Sequence, residues 1–133
     1  MSGVAVINYL LSNNAALTAV VPAAVIFSGI APVGTQLPAI SIAEVSGVEF
    51  PQVNRETTGN LITERVQITV HGETYPQKKQ IIKLIRQALP KTRGTVDGVD
   101  VDSITPDIEG PDMEFVDPEM HDQSVDYMVK YIN

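Results

Sequence analysis

The sequence predicts an α+β fold: a mainly antiparallel sheet packed against an N-terminal helical segment and one amphipathic helix, with long loops. Residues 65–71 and 124–132 alternate apolar and polar side chains, the period of strands with one wet face. Residues 81–89 repeat apolar side chains at helical spacing. The 133 residues amount to a single domain, 1–133. A domain of that length buries roughly 68% of the surface its unfolded chain exposes, enough for a true core.

Taken in order, Val4, Ile7, Leu10 and Leu11 fall at helical spacing, and Ser12, Asn13 and Asn14 supply side chains that cap a second helix. That helix is expected over 15–21, ended by Pro22. Residues 25–27 make a short strand, and Gly29, Pro32, Gly34 and Pro38 mark the loop after it. Residues 39–48 read as a strand with Ile40 and Ile42 on one face. In the strand over 61–71, Val66, Ile68 and Val70 alternate with Arg65, Gln67, Thr69 and His71. Between these two strands, 50–60 is polar and long for a hairpin connection.

Thr74 and Gln77 form a capping-box pattern with Pro76 in the first turn, opening a helix over 76–89. Its apolar stripe is Ile81, Ile82, Leu84, Ile85, Ala88 and Leu89. Lys78, Lys79, Lys83, Arg86 and Gln87 are placed on the solvated side, and Pro90 ends the helix. After a turn at Gly94, Val99, Val101 and Ile104 start another strand. Residues 106–119 read as irregular and acidic, broken by Pro106, Gly110, Pro111 and Pro118. In the last strand Val125, Tyr127, Val129 and Tyr131 face one way, with Asp126, Met128 and Lys130 on the other.

The net charge is −7. That balance argues against sequence-independent nucleic-acid binding, which needs cations, and against docking on an anionic membrane. There is no cysteine, so disulfides, thiolate catalysis and Cys-ligated metal are excluded. The apolar stretch 17–30 is broken by Pro22 and Gly29 and is too short to span a bilayer. Residues 1–30 carry no Lys or Arg, so the basic start of a signal peptide is missing and a cytoplasmic setting is expected. The charges are also segregated. Lys78, Lys79, Lys83, Arg86, Lys91 and Arg93 follow one another with no acid between, and the eleven acids from Asp97 to Asp126 follow with no cation. Two readings stand: pairing of these groups inside one fold, or patches that meet on neighbouring copies.

Chemical motifs are sparse. Asp97, Asp100 and Asp102 lack the order of a calcium loop and read as the wet face of an edge strand. His71 reads as a solvated strand residue, and His121, beside Glu119 and Asp122, as a surface-loop histidine. No phosphate loop, nucleophile elbow or metalloprotease motif is present, and no pair of carboxylates is singled out for acid–base work. No catalytic residue, cofactor or metal is therefore assigned.

The order of features resembles the tail terminator (tail completion) proteins of tailed bacteriophages. The stretches that carry the resemblance are Asn14-Ala15-Ala16-Leu17-Thr18-Ala19-Val20-Val21, Val25-Ile26-Phe27, Ala31-Pro32, and Leu37-Pro38-Ala39-Ile40 running to Val45-Ser46-Gly47. Arg65-Val66-Gln67-Ile68-Thr69-Val70, the helix over 76–89 and the closing strand over 124–131 complete it.

The resemblance implies a virion structural protein without catalytic residues, made in the host cytoplasm. Subunits form a ring, typically a hexamer, on the last ring of tail-tube protein. The ring stops tube growth, presents a surface to the head connector and lets DNA pass through its lumen without specific binding. The cations of 76–93 and the acids of 97–126 are expected to meet across subunits. Lys78, Lys79, Lys83, Arg86, Arg55 and Glu56 are candidates for the subunit interface. Asp107, Glu109, Asp112, Glu114, Asp117 and Glu119 are candidates for an acidic lumen or partner surface. The alternatives are another phage neck component (a head-completion adaptor or a tail-tube subunit), a binding module unrelated to phage, and an enzyme.

Overall fold

The computed structural model describes residues 2–50, 59–89, 93–116 and 119–132. Its helices are α1 (Gly3–Ser12), α2 (Ala15–Thr18) and α3 (Tyr75–Ala88), with one 3-10 turn at Ala23–Val25. The strands are β1 (Ile26–Ser28), β2 (Ala39–Phe50), β3 (Leu61–Gly72), β4 (Gly94–Val96), β5 (Val99–Glu109), β6 (Met113–Val116) and β7 (Glu119–Ile132). They form one sheet in the order β1-β2-β3-β7-β5-β4, with β6 also paired to β7. Among the described residues only β1 and β2 run parallel; the other pairs are antiparallel. The expected α+β architecture is present, and its sheet is the larger part.

Strict alternation sets the register. Along β3 every second residue is buried from Ile62 to Gly72. Ile68 stands opposite Ile42 on β2 and Val125 on β7, so three strands add one apolar row to the same face. A one-residue slip would turn that whole row to water, which pins the pairing. The helices lie on this face. Val6, Ile7 and Leu11 of α1, Leu17 of α2, and Ile81, Ile82 and Ile85 of α3 join Val66, Ile68, Tyr127, Val129 and Tyr131 in one core. Each such aliphatic side chain stabilises the fold by about 1.5–3 kcal/mol relative to exposure.

The helix starts follow the expected chemistry. Asn14 accepts a hydrogen bond from the Leu17 N–H, and Thr74 accepts one from the Gln77 N–H. The Gln77 side chain returns a bond, taken from the N–H of Glu73. The second helix stops at Thr18 rather than Val21. Pro22 disfavours helical geometry in the residue before it, and the chain leaves the helix early while still burying Val21.

The largest departure concerns 106–119. This stretch is not irregular: β5 runs to Glu109, β6 spans Met113–Val116, and β7 begins at Glu119. Proline did not stop β5 because β4 covers it only from Val99 to Val101. Pro106 therefore stands on an uncovered edge, where a missing N–H is tolerated. The segment 50–60 also differs at its ends, since β2 extends to Phe50, paired with Leu61. Residues 51–58 lie outside the described residues.

Candidate assembly surface

Lys78 is the clearest correction to the sequence reading. It does not lie on the solvated side of α3; its side chain is fully buried. Its Nζ is 2.9 Å from Asp112 Oδ1, 3.0 Å from Glu114 Oε1 and 3.4 Å from the Asp122 carbonyl oxygen. The ammonium also lies 4.5 Å from the centre of the Tyr75 ring. Burial pulls the Lys78 pKa down, but the two carboxylates more than offset this and leave it above the ordinary lysine value. Lys79 reaches the same Asp112 oxygen at 3.0 Å and the Gln123 side chain at 2.6 Å. Together Lys78 and Lys79 hold the Asp112 carboxyl down at about 2. Lys78 likewise lowers Glu114.

The cluster continues through His121, which lies on β7 and not in a loop. Its Nδ1 contacts Glu114, and its Nε2 is 3.1 Å from Glu119 Oε1. Glu119, with Glu114, raises the His121 pKa. At these residues the basic helix and the acidic segment meet inside one chain rather than across subunits. Arg86 lies 3.4 Å from Glu109, and Arg93 lies 2.7 Å from Asp102. Lys83 is exposed and has no ion pair among the described residues. Asp107 is on the other face of the sheet, where Arg65 binds it at 2.9 Å and Asp126 at 3.0 Å. Arg55, Glu56 and Asp117 lie outside the described residues.

His71 is not simply solvated. Its Nδ1 is 3.0 Å from Asp122 Oδ2 and its Nε2 is 2.9 Å from Ser41 Oγ, a polar chain across β2, β3 and β7. The residue types match those of a hydrolytic triad. Ser41 sits mid-sheet between β1 and β3, paired with Phe27 on one side and Thr69 on the other. The chain acts as a staple between strands. Beside it lies a cavity of about 410 Å³, lined chiefly by Ala31, Pro32, Val33, Leu37, His71 and Met120.

Sequence reasoning missed Arg65, Tyr75 and His121 as members of these networks. Tyr75 had a usable signal, since it stands three and four residues before Lys78 and Lys79, the spacing that brings side chains together on a helix. Among the described residues, no three His, Asp or Glu side chains are placed to hold a metal ion, and no helix is long and apolar enough to cross a membrane.

The family model for tail completion protein gp17 matches residues 5–129. Among solved structures, a chain from the virion of a native gene transfer agent particle has a TM-score of 0.71 at 11% identity. The match covers 98% of this chain and 95% of that one, and at this identity it is a likeness of fold. No curated protein matches.

Proposed function

Because the chain belongs to the tail completion protein gp17 family, and is a structural protein of a phage tail, we propose that its copies form a ring that caps the tail tube. The ring, hexameric in this reading, ends tube growth and gives the head connector its docking surface, and DNA passes through the opening. The observation that carries the proposal is the family match, which runs over residues 5–129. The charge supports it: at −7 per copy, a surrounding ring repels the DNA backbone and favours passage over adhesion.

Within this reading the candidate contacts change. Lys78 is withdrawn from the subunit interface because its ammonium is spent on Asp112 and Glu114. Lys79, Lys83 and Arg86, on the exposed side of α3, remain candidates for a neighbouring copy. Arg55 and Glu56 remain candidates from sequence. Asp107, Glu109, Asp112, Glu114 and Glu119 keep the role of a lumen or partner surface, with Asp117 added from sequence.

The test is to assemble tails without the protein and then restore it. Overlong tubes that regain uniform length on adding the purified chain support a terminator. Tubes of normal length attached to unfilled or leaking heads would point to a head-completion adaptor instead.

A further inference from the structure

The sheet presents uncovered edges at both ends of its strand order. β1 pairs β2 only from Ile26↔Ile40 to Ser28↔Ile42. Residues 43–50 are therefore outermost, with backbone donors and acceptors turned to solvent. All eight are exposed, with Val48 at 53% and Phe50 at 52%. At the opposite end of the strand order, β4 is outermost. We propose that the 43–50 edge of one copy pairs with the β4 edge of a second copy, so that the sheet continues from subunit to subunit. This rests on the ring reading above and names the contact that closes the ring.

Charge selects the partner edge. Residues 43–50 carry Glu44 and Glu49 and no cation. Two copies of this edge laid together would add carboxylates on both sides of the seam, and like charges across a strand pair are destabilising. The edge is also bent: Glu44 pairs with Val66 and Ser46 with Arg65, so Val45 is an extra, bulged residue. A bulge adds local twist and restricts pairing of this edge to the segments on either side of it. The uncovered part of β5 is a poor partner too, because Pro106 interrupts any ladder and Asp107 and Glu109 repeat the same sign.

β4 has neither defect. Its residues Gly94, Thr95 and Val96 carry no charge, and Arg93 just before it is 81% exposed, free to meet a carboxylate while keeping Asp102. Unlike edges on the two sides of one subunit make a head-to-tail contact, which closes into a ring when the rotation allows.

The chain has no cysteine, so introduced thiols report single positions. Val48→Cys and Thr95→Cys both fall at exposed sites. Rings assembled on tube ends from mixed single variants, treated with a short bismaleimide, are expected to give a crosslinked dimer. The double variant is expected to give a ladder ending at the ring number. Dimers from Val48→Cys alone would mean that β2 pairs with itself, and capture of the tube protein by that thiol would assign the edge to the tube; either overturns the proposal. Sedimenting rings without a 48–95 crosslink overturn it as well, while leaving the ring reading intact. A wild-type chain that never forms rings on tube ends removes both.

Discussion

Gly3, the first residue of α1, lies directly against the carboxylate of Glu64 on β3, so closely that a Cβ on Gly3 would collide with Oε2. Glu64 is buried, and its Oε1 accepts a hydrogen bond from the Tyr131 hydroxyl at 3.2 Å, while the Ser2 N–H donates to that same hydroxyl oxygen at 2.7 Å. The first turn of α1 contains no acid of its own. A carboxylate from the sheet stands where the helix dipole favours one.

Gly3→Ala should therefore destabilise the protein although alanine is the better helix former. The overlap forces α1 or Glu64 to move, at about 1–3 kcal/mol. Urea unfolding measures this. An unchanged midpoint would show that the contact relaxes freely.

Glu64 also has a raised pKa, chiefly from burial and then from Glu44. The folded state thus holds this proton more tightly than the unfolded chain. Stability from the site is complete below the ordinary value of 4.5 and is lost as pH rises through the folded pKa. Relative to wild type, Glu64→Gln should gain stability as pH is raised from 4 to 7. A constant difference across that range would refute the sign.

Lys78→Ala should free β6 from α3. Amide exchange at Met113–Val116 is expected to speed up by roughly tenfold or more, with β3 little changed. The acid limb gives a second readout. Asp112 is held at about 2 against 3.8, so its contribution is present above 3.8 and is lost as pH falls toward 2. That loss should be absent in Asp112→Asn, as followed by thermal melting between pH 4 and pH 2.

His71→Ala leaves the Asp122 carboxylate buried without its ring partner, and a loss of about 1–3 kcal/mol is expected. Ser41→Ala removes only a neutral partner and should cost about 1 kcal/mol. Under the proposed capping role, a staple predicts that Ser41→Ala caps tubes as wild type does. Loss of capping by a folded Ser41→Ala protein would give the hydroxyl a role beyond packing.

Much of the fold was legible because periodicity survives in single sequences. β3, the second half of β7 and α3 were placed by alternation and by the 3.6-residue repeat, and their buried faces are Val66, Ile68 and Val70, then Val125, Tyr127, Val129 and Tyr131, as expected. Lys78 shows where residue type misleads. It lies three, four and seven residues before Ile81, Ile82 and Ile85, which puts it in the buried stripe, yet a lysine reads as solvated. Its partners Asp112 and Glu114 come 34 and 36 positions later, a separation that no local pattern reports. The stretch 106–119 was misread for a related reason. Proline and glycine mark breaks only where the backbone needs its N–H, and an uncovered edge does not. The Gly3–Glu64 contact has no signature in either segment.

The place of β7 in the sheet carries a consequence for how the subunit comes to exist. β3, β5 and β6 all pair with β7, and β3 and β5 do not touch one another in the strand order. Yet β7 follows every other described element along the chain. During synthesis, β3 and β5 must wait with apolar residues uncovered until this strand emerges. The barrier is then set by closing long loops, which slows folding compared with a helical protein of similar size. Until that strand slots in, β3 and β5 lack the partner that joins them, so the two halves of the sheet become one only with the last described element.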